Sequence, residues 1–115
     1  MKLADRQNVF AANVATLIIF IQSRGYRVSL GEAYRTPEQA ALNAKNGKGI
    51  KNSLHIKRLA IDLNLFLPDG TYVTGTEGHD LFGSFWEKLH PDNRWGGKFP
   101  KPDGNHYEMK DSNCS

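Results

Sequence analysis

The chain has 115 residues, 39% hydrophobic and 23% charged, a balance that fits one folded domain and excludes a disordered or fibrous polypeptide. Fifteen Lys and Arg against twelve Asp and Glu leave a net charge of +3, too small an excess to argue for a nucleic-acid partner. The one cysteine, Cys114, excludes an intramolecular disulfide framework, so an ordinary apolar core must hold the fold.

Val9, Phe10, Val14, Leu17, Ile18 and Ile21 recur at three- and four-residue steps, which predicts a helix over about residues 4–24 that Gly25 stops. Its apolar run, Val14 to Ile21, is far short of the roughly 20 residues that span a bilayer. Polar residues flank it, Asp5 to Asn8 before and Gln22 to Arg24 after, unlike a targeting leader. The expectation is a core helix in a leaderless, soluble chain with no stable membrane insertion. Tyr26, Val28 and Leu30 then alternate with Arg27, Ser29 and Gly31, the period of a half-buried strand. Thr36-Pro37-Glu38-Gln39 starts a second helix: Thr36 caps, Pro37 suits the first helical position, and Gln39 can complete a capping box. That helix should run to about Lys45 and end at Asn46-Gly47.

Lys45 to Asn52 (KNGKGIKN) reads as a basic, solvated loop. Ala60 to Leu67 alternates as a strand, Pro68-Asp69-Gly70 is a turn, and Thr71–Thr74 is expected to return as the second strand of a hairpin. Leu81, Phe82, Phe85, Trp86 and Leu89 carry a third helix, closed by Pro91. Arg94 to Asn105 is loop-rich, and His106–Met109 forms a last short strand. The economical architecture is α+β: about three helices packed on a small antiparallel sheet, as one domain over residues 1–115.

Histidines and carboxylates gather where predicted loops meet strands, in Ser53 to Asp62 (SLHIKRLAID) and Asp103 to Glu108 (DGNHYE). On one helix His55 and Asp62 would stand about 10 Å apart along the axis, too far for a metal whose ligands lie at roughly 2.0–2.2 Å. They can share an ion only if a bend at Lys57-Arg58 folds His55 back over the start of the strand carrying Asp62. His106 on the last strand is the natural third ligand. Two histidines, one aspartate and an open fourth position make the composition of a catalytic zinc site. Hydrolysis at such a site still needs a proton carrier. Asp103, three residues before His106, can supply it, while Glu108, on the same strand face as His106, competes for a place near the metal. Arg35, just before the second helix, is the best-placed cation for an oxyanion or a substrate carboxylate.

SLHIKRLAID resembles the SxHxxGxAxD motif of the zinc D-Ala-D-Ala peptidase family, which includes D,D-carboxypeptidases, D,D-dipeptidases and the L-alanyl-D-glutamate endopeptidases of phage lysis enzymes. DGNHYE resembles that family's (E/D)xxH motif, GEAYRTPEQ the segment supplying a substrate-facing arginine, and RWGG the turn before the last motif. The similarity runs over about residues 26–109, and AIDLNLF is closest to the phage and prophage branch. The resemblance implies a hedgehog/DD-peptidase-like fold with His55, Asp62 and His106 as Zn2+ ligands and Asp103 as general base. It likewise implies Arg35 as the cation that orients substrate and stabilises the transition state, and Ser53 as a hydrogen-bonding group near the metal or substrate. Arg58 stands where the motif has glycine, so if that glycine serves a positive φ the turn after His55 must differ here.

The expected activity is zinc-dependent cleavage of cell-wall stem peptides, between L-alanine and D-glutamate, by a monomer made in the cytoplasm that reaches the wall after release. Three rivals stand beside it: a D,D-carboxypeptidase releasing terminal D-alanine, a zinc-stabilised binding module like the hedgehog signalling domain, and a basic nucleic-acid binder, for which no reading motif exists. Other residues have plainer expectations. His79 and His90 are surface or hydrogen-bonded histidines, and Glu108 is a supporting group rather than a ligand. Trp86 belongs to the core, and Trp95, beside two glycines, is the better candidate for a substrate-binding cleft wall.

Overall fold

The computed structural model describes residues 1–47 and 53–111. The order is α1 (Leu3–Ser23), β1 (Arg27–Leu30), α2 (Pro37–Lys45), β2 (Ala60–Phe66), α3 (Asp80–Leu89), β3 (Asn93–Trp95) and β4 (His106–Met109). Short 3-10 turns at Leu54–Lys57, Thr76–His79 and Gly96–Lys98 join them. The strands form one antiparallel sheet in the order β1-β2-β4-β3. The fold is the α+β arrangement expected from the sequence, and no helix among the described residues is long and apolar enough to cross a membrane.

Side-chain alternation along the strands builds the core. Ile61, Leu63 and Leu65 of β2 and Tyr107 and Met109 of β4 point to one face, where α1 and α3 cover them with Leu17, Ile21, Phe82 and Trp86. Trp86 is fully buried, and its indole N–H donates to the Glu108 carbonyl at 2.9 Å, which ties α3 to β4. Phe10 meets the Trp86 ring edge-on at 5.6 Å, and Phe20 stacks on Phe85 at 4.0 Å.

Local details depart from the sequence pattern in four places. The capping box of α2 is half formed: Thr36 Oγ1 accepts from the Gln39 N–H at 3.0 Å, but the Gln39 side chain donates forward to Asn43. Thr71–Thr74 is not a strand. An Asx turn at Asp69 and the positive φ of Gly75 leave too little extended chain for a ladder, so only the Phe66–Tyr72 bridge forms. Within the loop-rich stretch, Asn93–Trp95 pairs with β4 as the edge strand β3. Leu81, placed on the core face of α3 by its spacing, is half exposed. Residues 48–52 of the basic loop, and Cys114, lie outside the described residues.

Candidate metal centre

The second face of the sheet carries the polar residues. Asp62 and His106 are direct partners in the β2–β4 register, so both side chains project from this face as neighbours. Arg94 and Glu108 are partners in the β3–β4 register one step further on. His55 arrives from the 3-10 turn at Leu54–Lys57, and the chain there does make the bend its spacing to Asp62 requires. Ser53 opens the turn by accepting the His55 N–H at 3.2 Å, and Arg58 closes it in the left-handed conformation, φ 55° and ψ 36°. The turn therefore keeps the positive φ that glycine would favour, with arginine in its place. That corrects the expectation of a different turn.

Asp62 Oδ1 lies 3.3 Å from His55 Nε2 and 3.3 Å from His106 Nδ1. The ligand atoms of the three residues all fall within 4.8 Å of one another. Donors arranged tetrahedrally at about 2.0–2.2 Å from an ion stand about 3.3–3.6 Å apart, so two of the three edges already have the spacing a zinc-sized ion needs. The chemistry of the set agrees, with two imidazole nitrogens and one carboxylate oxygen. His106 directs its other nitrogen, Nε2, to Glu108 Oε1 at 2.7 Å, and Arg94 Nη2 holds the second Glu108 oxygen at 2.6 Å. This fixes the ring so that Nδ1 faces Asp62. His55, Asp62 and His106 could thus hold one metal ion.

The electrostatics follow from this crowding. Burial raises the Asp62 carboxyl, but hydrogen bonds with His106 and His55 outweigh it and bring the pKa down to about 2. Burial disfavours a charged His106, yet Asp62 and Glu108 hold its pKa up at about 9. A metal ion held at Nδ1 would have to displace a proton.

Asp103 sits in the loop between the Gly96–Lys98 turn and β4. Its N–H donates to the Gly96 carbonyl at 2.9 Å, and its own carbonyl accepts the His106 N–H at 3.1 Å. Gly96 has no room for a side chain: a Cβ there would lie 2.4 Å from the Asp103 oxygen. Partial burial raises the Asp103 pKa and the nearby Asp62 carboxylate adds to the rise, while His106 and His55 pull against it. Arg35 joins the same region through its N–H, which donates to the His55 carbonyl at 3.2 Å.

The structure also places residues where sequence reasoning did not. Glu32 had no assigned role, yet its Oε1 pairs with the Arg35 guanidinium and lies 3.7 Å from His55 Nδ1. Its carbonyl accepts the Asp62 N–H at 2.9 Å, which stitches the Arg35 segment to β2. An acidic residue three before Arg35 was the available signal. Trp95 corrects the expectation of a cleft wall. It is 3% exposed, with its indole N–H donating to the Gly104 carbonyl at 2.7 Å, so it supports the Asp103 loop from beneath. Ser53 is buried and used in capping the His55 turn. His79 is a buried hydrogen-bonded histidine, its Nδ1 sharing a hydrogen bond with the Tyr107 hydroxyl at 2.7 Å, and burial lowers its pKa to about 4. His90 Nδ1 accepts the Asp92 N–H at 3.1 Å.

No protein-family model and no curated protein matches the sequence. Among solved structures, the fold is similar to that of the L-Ala D-Glu endopeptidase ChiX of Serratia marcescens, with a TM-score of 0.61 at 18% identity. The likeness covers 72% of this chain and 66% of that one, so the matched part spans a little under two thirds of the ChiX chain. At this identity the likeness is one of fold.

Proposed function

We propose that the chain is a zinc-dependent peptidase of bacterial cell-wall stem peptides, acting on the bond between L-alanine and D-glutamate. The convergence of His55, Asp62 and His106 within 4.8 Å carries the reading, and the fold shared with an L-Ala D-Glu endopeptidase supports it. These three side chains would hold the ion, with Glu108 orienting the His106 imidazole through its hydrogen bond to Nε2. Bound zinc supplies Lewis acidity and lowers the pKa of water to around 7.

The remaining chemistry belongs to the chain's own groups. Asp103 takes a proton from the attacking water and returns it to the leaving amine, so that a C–O bond forms as the peptide C–N bond breaks. Its raised pKa moves it toward the range in which a carboxylate exchanges protons readily. Arg35 presents its guanidinium to the developing oxyanion or to a substrate carboxylate, with Glu32 fixing its direction.

Mass spectrometry of purified peptidoglycan after incubation, with and without a chelator, tests the reading. New D-glutamate amino termini that vanish with the chelator are the expected result. Free D-alanine would instead identify a D,D-carboxypeptidase, and an unchanged wall would identify a binding module.

A further inference from the structure

The residue that departs from the family motif makes a contact that the metal site does not need. Arg58 is the one described residue other than glycine with positive φ, a conformation unfavourable for any residue bearing a Cβ. Its guanidinium carbon lies 4.0 Å from the centre of the Tyr34 ring, in cation–π contact. Tyr34 immediately precedes Arg35. The backbone repeats the connection, since the His55 carbonyl accepts both the Arg35 N–H at 3.2 Å and the Arg58 N–H at 3.3 Å. One carbonyl oxygen has lone pairs for both donors. The turn bearing a metal-site histidine and the segment bearing Arg35 are thus joined at two points, a shared acceptor and a side-chain stack.

We propose that Arg58 is a positioning residue for Arg35: its guanidinium clamps the Tyr34 ring and holds the Arg35 segment in register with the His55 turn. A glycine would relax the backbone at this position and could not make the clamp. Arginine accepts the unfavourable φ and, in exchange, restricts Arg35 to one approach toward substrate. The kinetic part of this inference rests on the reading of Arg35 as the substrate-facing cation. The structural part does not.

Arg58→Gly is the informative variant, because glycine suits a φ of 55° and only the clamp is removed. Its melting temperature should equal or exceed that of the parent. Amide exchange at Arg35 should quicken, and kcat/KM on stem peptide should fall about two- to fivefold, chiefly through KM. Tyr34→Ala should show the same loss, the double variant little more than either single one, and Tyr34→Phe, which keeps the ring face, should behave as the parent. Parental exchange at Arg35 in Arg58→Gly, or losses that add in the double variant, would overturn the clamp. If the parent releases no product from the wall, the proposed activity falls while the exchange measurement still decides the clamp.

Discussion

The two faces of the β2–β4 pair are built from interleaved residues of the same strands and have opposite characters. Toward the helices stand Ile61, Leu63, Leu65, Tyr107 and Met109, all nearly or fully buried. Toward the other side stand Asp62, His106 and Glu108, linked to one another and to His55 and Arg94 by polar contacts. Strand periodicity alone separates the groups, because neighbouring residues point to opposite sides. What holds the fold and what gathers the candidate metal site are therefore set by residue parity, and a substitution on one face should leave the other face's property standing.

The sharpest test of that separation is His106→Ala. It should abolish zinc binding in a metal-competition titration and abolish wall hydrolysis, while circular dichroism and cooperative unfolding persist. Asp103→Asn should next lower kcat by about 10²–10⁴-fold with zinc affinity retained, measured on stem peptide. Leu63→Ala, one residue along from Asp62, should do the converse. It leaves every ligand in place but removes a fully buried side chain, for an expected loss of about 2–5 kcal/mol in chemical denaturation. Glu108→Gln probes the support behind the ligands and should weaken zinc binding about 10–100-fold with little change in the melting of the metal-free protein.

The smallest effect comes from a polar contact on the helix-covered side, His79 against Tyr107. The folded ring has a pKa of about 4, below the ordinary histidine value of about 6.5. Between those values the unfolded chain binds a proton that the folded chain refuses, so this contribution is complete above the higher value and declines as the pH falls toward the lower one. Going from pH 7 to pH 5 should remove on the order of 1–2 kcal/mol. His79→Gln should flatten that part of the stability curve, and an unchanged slope would show that another group carries it.

Much of this division was legible beforehand, because periodicity is a strong signal where it runs long. The spacing of Phe10, Leu17 and Ile21 and the alternation of Ile61, Leu63 and Leu65 mark α1 and β2, and an aspartate within that alternation singles out Asp62. Asn93–Trp95 escaped because three residues ahead of a glycine pair carry no period, and only pairing with β4 makes them a strand. Glu32 escaped for a different reason. Its role depends on a contact with Arg35 and on proximity to His55, 23 positions away in the chain, which no local pattern encodes. Trp95 was misjudged because neighbouring glycines suggested openness. Here they make room for the indole, whose atoms would lie 2.1 Å from a Cβ at Gly83 and 2.3 Å from one at Gly97.

That slot for Trp95 bears on how the chain can diversify. Gly96 and Asp103 are bonded to each other, and the indole braces Gly104, so the stretch from Lys98 to Pro102 is an arch whose two feet are anchored independently of its span. Its crown, Pro100 to Pro102, faces solvent. Lengthening or rewriting the crown should leave the Asp103 carboxylate where it stands, which makes the arch the natural place to graft a new recognition loop.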